Sequence, residues 1–399
     1  MQKTIIGMIF HGEYPTHPRI ENQALHLISE GAEIHLFCVT YQKKKAGMVV
    51  HKGINVHRTY LPNWMYKLSA LAYTFPLYHR LMSSHLKQFI QNSKAQTLHL
   101  HNMNLAQPVF DINQSAKLPI VLDLHENVPE IMKLYPHLQK GLGKFLINPV
   151  VWKKKEQEFI KRSAAIIVVT NEAKEEVLSR VEIDDSKILV LPNFTDDSFI
   201  KPEYDKSLAA RFKSKFNMLY IGDTGVRRGL ESVMKAIPLL INDISNLNLI
   251  IVGSSSNDEN LRVLMQKEGV ENFVSVEGWQ SENLLADYVN VAHVGLCPIL
   301  RNLHHDTTYA NKLFQYARLG KPILASNSTA QKNLIESESW GLIHEANDPE
   351  DFAKQLKKLY LDETLRTQLG QNAAKSIRKK FNYSSSEFGI EFYQELNLR

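Results

Sequence analysis

The chain has 399 residues, 44% hydrophobic and 22% charged, with a net charge of +5. These are globular values, too apolar for a disordered chain, and the length exceeds one ordinary core, so two domains are expected. The positive excess is small and mixed with acids, which argues against a nucleic-acid reader and is compatible with anionic substrates or an anionic membrane surface.

Cys38 and Cys297 sit in apolar runs far apart in sequence. They read as buried free thiols in a reducing compartment, not as a disulfide framework. The apolar run in MQKTIIGMIFHGEYP is too short for a signal segment, and no stretch has the ~18 uninterrupted apolar residues of a spanning helix. A cytoplasmic protein, peripheral on the inner membrane face, is the expectation.

Thr4–Phe10 is predicted as a buried strand, His11–Pro18 as a loop, Arg19–Glu30 as an amphipathic helix closed by Gly31, and Glu33–Thr40 as the next strand. Such a βαβ unit builds parallel sheet. Its first turn holds only Gly12 where a dinucleotide fold needs G-x-G-x-x-G, so a nicotinamide enzyme is disfavoured. Ile54–Thr59 is a third strand. Leu61–Gln91 is aromatic, apolar, basic and poor in acids, with Trp64, Tyr66, Phe75 and Tyr78 among Lys67, Arg80 and Lys87. It reads as a helical hairpin packed on the sheet, or as helix lying on a membrane or over an acceptor site. The lysine clusters Lys43–Lys45 and Lys153–Lys155 are solvated or lipid-facing.

Thr97–His101 and Ile120–Leu124 are strands that end in His101 and in His125-Glu126. Polar residues at strand C-termini sit where doubly wound sheets bind ligands. A helix over Pro149–Arg162, the strand Ala165–Thr170 and the strand Ile188–Leu191 follow, and Thr195–Lys215 reads as an irregular interdomain linker. A second alternation begins with the strand Met218–Ile221. The loop Gly222–Arg227 and a helix over Gly229–Ile241 come next, and then further strands near Leu247–Val252, Phe273–Val276, His293–Cys297 and Ile323–Ala325. Pro349–Arg399 contains three helical patterns.

Within this second half, NKLFQYARLGKPILAS (Asn311–Ser326) reads as a short helix, a stop at Gly320 and a buried strand. The polar run Arg301–Thr308 before it has nothing apolar to bury and reads as an exposed loop. A helix N-terminus carrying Lys312 on such a loop suits an anion, phosphate above all, and Gln315 lies one turn inward where its amide reaches a sugar hydroxyl. An ordinary αβ connection would read the same way.

These segments resemble, in order, retaining glycosyltransferases of family 4, which have the GT-B fold. The motifs are YPTHPR, DLHENVPE, VLPNF, RRG and NKLFQYARLGKP, and the first two are similar to the exopolysaccharide and capsule subgroup. The resemblance implies two doubly wound Rossmann-like α/β domains facing a central cleft. Residues 1–195 would be the acceptor side, residues 196–380 the nucleotide-sugar donor domain, and residues 381–399 a helix crossing back. It implies that Gly12, Arg227, Arg228, Gly278, Lys312, the Leu313 and Phe314 amides and Gln315 hold the donor. His125 would touch the transferred sugar with Glu126 beside it, and Arg19 and His101 would contact an anion or the acceptor. The nucleotide sugar would be UDP- or GDP-linked, the acceptor a glycan or lipid-linked oligosaccharide, and neither cofactor nor metal is implied. The chain departs from the family pattern at Asp223, where an arginine is usual, and at Thr307 and Gln315, where the family has paired glutamates separated by seven residues.

Other chemistries fit less well. The chain has no Asp-x-Asp, His-Glu-x-x-His, Cys-x-x-Cys or P-loop. His304-His305-Asp306 reads as polar loop rather than as metal ligands. Two rivals to a transferase remain: a nucleotide-sugar epimerase on the same fold, and a non-catalytic nucleotide-sugar-binding subunit suggested by the three departures.

Overall fold

The computed structural model describes residues 3–134, 147–195 and 199–398. The chain divides into two compact units, residues 1–192 with 386–399, and residues 193–385. Each is an α/β layer structure built on one sheet.

The first unit contains β1 (Ile5–Phe10), β2 (Glu33–Thr40), β3 (Gly47–His51), β4 (Ile54–Tyr60), β5 (Thr97–His101), β6 (Ile120–Leu124), β7 (Ala165–Val168) and β8 (Ile188–Val190). Their spatial order is β3-β4-β2-β1-β5-β6-β7-β8, parallel except for β3 against β4. β1 has β2 on one side and β5 on the other, so the strand order reverses between β1 and β5. β3 escapes a pattern-based reading because Met48, Val49 and Val50 are exposed on an edge hairpin. The predicted helix after β1 spans Pro18–Ser29, started by proline at its first position. Leu61–Gln91 forms a hairpin of two helices, Asn63–Ser69 and Leu77–Ser93. Met65, Tyr78, Met82 and Leu86 enter the core, while Trp64, Tyr66, Phe75 and Leu77 stay exposed. The helix Ile390–Leu398 packs in this unit, with Tyr393 buried and its hydroxyl 2.6 Å from His99 Nδ1.

The second unit contains β9 (Phe216–Ile221), β10 (Leu247–Val252), β11 (Val274–Gly278), β12 (Val294–Cys297), β13 (Ile323–Ser326) and β14 (Gly341–His344). The order is β11-β10-β9-β12-β13-β14, all parallel, and it reverses between β9 and β12. Helices cover both faces, which is why the strands are continuous apolar runs. Met218, Tyr220, Leu249 and Ile251 face one core, and Leu219, Ile221, Ile250 and Val252 face the other. The expected irregular linker Thr195–Lys215 is partly helical. Residues 196–198 lie outside the described residues, but Lys206–Phe212 is a helix whose N-cap Asp205 accepts from the amides of Ser207 and Leu208. Phe212 at its end is buried, which supplies the packing that its polar sequence concealed. Among the described residues no helix is long and apolar enough to cross a membrane.

Candidate functional site

Ligands of doubly wound sheets bind beyond the strand C-termini where the strand order reverses. In the second unit that place is the β9/β12 pair, and the loops leaving these two strands meet there. The Leu300 amide donates to the Arg227 carbonyl at 3.0 Å. Gly229, at φ +74°, allows the approach, because a Cβ on it would lie 1.8 Å from the Pro298 carbonyl oxygen.

The helix Asn311–Arg318 is pinned beside them by Tyr316. Its hydroxyl donates to Leu219 O at 3.0 Å and accepts from Ile221 N at 3.1 Å. Gly295 on β12 makes room, since a Cβ there would lie 2.3 Å from the Tyr316 ring. Leu313 and Phe314 are wholly buried and fix the helix to the core. The Leu313 amide donates to Ala310 O at 3.0 Å, so it is engaged within the turn and not free for the diphosphate as expected.

This geometry presents three cations. Lys312 is buried, with its ammonium 3.6 Å from the centre of the Tyr220 ring. Burial lowers its pKa to about 7, with Cys297 and Asp223 acting to raise it and Arg228 and Arg227 to lower it. No carboxylate among the described residues pairs with this lysine. Arg227 Nη2 and Arg228 Nε both reach Asp223 Oδ2, at 3.3 and 3.4 Å. Burial pushes the Asp223 carboxyl up, but the Gly225 amide, Arg228 and Arg227 outweigh it and leave its pKa lowered. The acid at the position of the usual arginine therefore gathers two guanidinium groups.

The run Arg301–Thr308 is not the exposed loop expected from its polarity. Leu303–Asp306 is a helical turn capped by Asn302, and His304, His305 and Thr307 are buried. His305 Nδ1 lies 2.6 Å from the Leu300 carbonyl, and Thr307 Oγ1 donates to Leu303 O at 2.7 Å. Burial, followed by the adjacent His305 and then Arg227 and Arg228, brings His304 down to about 3. Gln315 is half-buried. Gly278 ends β11 at φ +64° and its carbonyl accepts from Gly253 at 2.7 Å, beside the exposed Trp279.

In the first unit the reversal lies at β1/β5, and the groups there are His17, His101 and His125 around Asp123. Gly12 is in the loop after β1, where any side chain would strike the Phe10 ring at 2.4 Å. Arg19 is not an available anion contact. It is buried, with Nη2 2.9 Å from Asp123 Oδ1, Nε 3.1 Å from Oδ2, and Nη1 2.8 Å from the Leu191 carbonyl. A buried carboxylate needs such a partner, and a bidentate guanidinium is the strongest available. Burial would raise the Asp123 pKa, but Arg19, His125 and His99 hold it well below the ordinary value. His101 is also buried, with Nδ1 3.0 Å from His125 Nε2, so it backs His125. His125 is buried and Glu126 exposed.

Sequence reasoning missed Tyr220 as the seat of Lys312 and Asp123 as the centre of the histidine cluster. Asp123 did leave a signal: a charged residue inside the buried strand run IVLDL requires a buried partner.

Residues 19–199 match the profile of "Glycosyltransferase Family 4" and residues 202–376 that of "Glycosyl transferases group 1". The chain is 18% identical to the alpha-D-kanosaminyltransferase of Streptomyces kanamyceticus, over 70% of this chain and 72% of that protein. It is 22% identical to the capsular polysaccharide biosynthesis glycosyltransferase CapM of Staphylococcus aureus, where it spans 54% of each. Sucrose-phosphate synthase from Thermosynechococcus elongatus has the same fold, at a TM-score of 0.76, 15% identity and 99% and 97% coverage of the two chains. With the two profiles in tandem on two parallel-sheet Rossmann-like units, the chain is a glycosyltransferase of the GT-B fold, Family 4 in its N-terminal half and group 1 in its C-terminal half.

Proposed function

We propose that the chain is a retaining hexosyltransferase that moves a sugar from a UDP- or GDP-sugar to an acceptor hydroxyl in cell-surface polysaccharide assembly. The carrying observation is the cluster of Lys312, Arg227 and Arg228 at the β9/β12 reversal, with a buried ammonium that pairs with no carboxylate among the described residues. A nucleoside diphosphate gains negative charge as the glycosidic bond breaks, and fixed cations there stabilise the transition state. In this reading Gln315 holds ribose, the Gly278 backbone meets the base, and His125, beside Glu126, contacts the transferred sugar. The reaction proceeds on one face of the sugar without a metal, with the leaving phosphate taking the acceptor proton. The capsular relative and the exopolysaccharide-like motifs support the pathway.

The acceptor is a glycan or lipid-linked oligosaccharide at an anionic membrane surface. Trp64, Tyr66, Phe75 and Leu77 are exposed beside Lys67 and Arg80, over an apolar groove of about 380 Å³ lined by Leu68, Leu71, Phe75 and Tyr78. Flotation with anionic liposomes at low salt tests this, and a chain that stays off them contradicts it.

Asp223 favours a second reading, a binding subunit without turnover, since it engages both arginines. Calorimetric titration of UDP and GDP, without metal, into wild type and Arg228→Ala tests the site. Micromolar binding of one nucleotide, weakened by roughly 1.5–3 kcal/mol in the variant, is expected. Binding with no turnover of any sugar nucleotide on crude lipid-linked acceptor would favour the subunit, and binding of neither would remove the donor site.

A further inference from the structure

Four histidines, His17, His99, His101 and His125, surround the Asp123–Arg19 pair. We infer that Asp123, locked by Arg19, is a positioning residue that fixes His125 in the Nε2–H tautomer and leaves its Nδ1 lone pair as acceptor for a hydroxyl of the bound sugar. The inference rests on the reading of His125 as the sugar contact.

The assignment follows from which groups can donate. An ionised carboxylate only accepts. Asp123 Oδ2 already accepts from Arg19 Nε at 3.1 Å and Gln23 Nε2 at 2.8 Å, and Oδ1 accepts from Arg19 Nη2 at 2.9 Å. His125 Nε2 lies 3.2 Å from Oδ2, so this nitrogen carries the proton. The same nitrogen is 3.0 Å from His101 Nδ1, which must then be an acceptor with its own proton on Nε2. His99 Nε2 lies 3.4 Å from Oδ2, and its Nδ1 shares a 2.6 Å hydrogen bond with the Tyr393 hydroxyl. The Nε2 atoms of His99 and His101 are buried without a hydrogen-bond partner among the described residues, so it is the His125 ring, 3.2 Å from the carboxylate, whose tautomer Asp123 sets.

The His125 ring is fixed further by its main chain. Its amide donates to Asn102 Oδ1 at 3.1 Å, and Asn102 itself is in the left-handed region at φ +63°. Nδ1 of His125 is buried and has no hydrogen-bond partner among the described residues. Buried acceptors are normally paired, so an empty one at a strand C-terminus is a place for a ligand donor. Burial lowers the His125 pKa although Asp123 opposes it, which agrees with a neutral ring. His17, with its ring centre 5.4 Å from that of His125, is also neutral, with burial, His125 and Arg19 bringing it to about 4.

A divalent ion is the competing use of this cluster, because His99, His101 and Asp123 offer atoms within 4.8 Å of one another. Arg19 argues against it. Both Asp123 oxygens are engaged by the guanidinium, whose fixed charge would face any cation.

The test is long-range nitrogen–proton correlation NMR on the full chain labelled with 15N-histidine, with His125 assigned by its loss in His125→Gln. The expected spectrum at neutral pH has a protonated Nε2 and an unprotonated Nδ1 for His125. A protonated Nδ1, or an imidazolium, overturns the inference. In Asp123→Asn the tautomers should mix and kcat/KM for the sugar nucleotide should fall about 10- to 100-fold, the size of one lost charge-assisted hydrogen bond, with the affinity for UDP or GDP alone unchanged. If that variant does not fold, the wild-type spectrum decides alone. Addition of UDP-glucose or GDP-mannose, but not UDP or GDP, should move the Nδ1 resonance. The expected tautomer without this response would keep the positioning role of Asp123 and remove His125 as the sugar contact.

Discussion

Lys312 makes the proposed donor site a proton-coupled one. In the free protein its pKa is brought to about 7 by burial against Tyr220. A diphosphate placed on that ammonium supplies the missing counter-charge and returns the pKa to the ordinary lysine range near ~10.4. Binding must then take up protons: about half a proton at pH 7 and about 0.9 at pH 8, the fractions of free lysine that are neutral. By the same linkage the nucleotide should bind about 50-fold more weakly at pH 9 than at pH 7. The assay is calorimetry at pH 8 in Tris and in HEPES, whose ionisation enthalpies differ, so the difference in observed enthalpy counts protons. At that pH the nucleotide phosphates, with a second ionisation near ~6, are already fully charged and contribute nothing. Lys312→Arg controls for the other titratable neighbours. An arginine stays charged, so binding should persist and proton uptake should vanish, leaving only what His304 and His305 contribute. A wild-type enthalpy that is the same in both buffers would refute the reasoning.

Other outcomes follow from the same contacts. Without ligand, Lys312 should destabilise the fold, because its folded pKa lies below its unfolded one. Its contribution should become less unfavourable as pH rises from 7 towards 10, and Lys312→Met should raise the stability of the free protein by roughly 1–2 kcal/mol in urea unfolding at pH 7. Asp223→Asn keeps an oxygen for the Gly225 amide, now bound at 2.8 Å, and removes the charge that competes for Arg227 and Arg228. Because Asp223 is partly exposed, nucleotide affinity should rise only about fivefold, or roughly 1 kcal/mol. Arg19→Ala leaves Asp123 buried without its cation and should cost roughly 3–5 kcal/mol, with UDP or GDP affinity of the folded fraction unchanged. A stable variant that bound nucleotide less tightly would instead restore Arg19 as an anion contact. Tyr316→Phe removes hydrogen bonds to Leu219 and Ile221 and should cost about 2 kcal/mol in the same unfolding assay.

The alternation of apolar strand and amphipathic helix was legible because parallel strands covered on both faces are continuous apolar runs, as in LNLIIV of β10. Where an element is not a buried apolar run the reading failed. β3 exposes its valines on an edge, Lys206–Phe212 anchors through one aromatic residue, and the turn at Leu303–Asp306 buries histidines that polarity placed in solvent. The helix with Lys312 was legible from its pattern, whereas the state of that lysine was not. Its burial depends on Tyr220, whose position on β9 is brought close only by strand pairing with β12. Arg19 failed for the same reason. Its partner Asp123 is distant in sequence, and only the β1–β5–β6 order brings them together.

The two reversals thus handle charge in opposite ways. At β1/β5 the buried charges are closed on themselves: Asp123 has Arg19 and Gln23, and the surrounding rings His17, His101 and His125 are held neutral. At β9/β12 two arginines share one partly exposed carboxylate and a buried lysine has none among the described residues, so positive charge is left over there. A compensated cluster is suited to orienting hydroxyls, because a neutral imidazole of fixed tautomer discriminates donor from acceptor without attracting anions. An uncompensated one is suited to phosphate, because the ligand supplies the charge that the fold withholds. If that division is right, charge-reversing changes at the second reversal should alter nucleotide affinity and its salt dependence, whereas changes at the first should alter discrimination among sugars at nearly constant nucleotide affinity. A single panel of UDP, UDP-glucose and UDP-galactose, or the GDP equivalents, titrated into Arg228→Ala and Asp123→Asn separates the two effects. Equal losses for nucleotide and sugar nucleotide in both variants would refute the division.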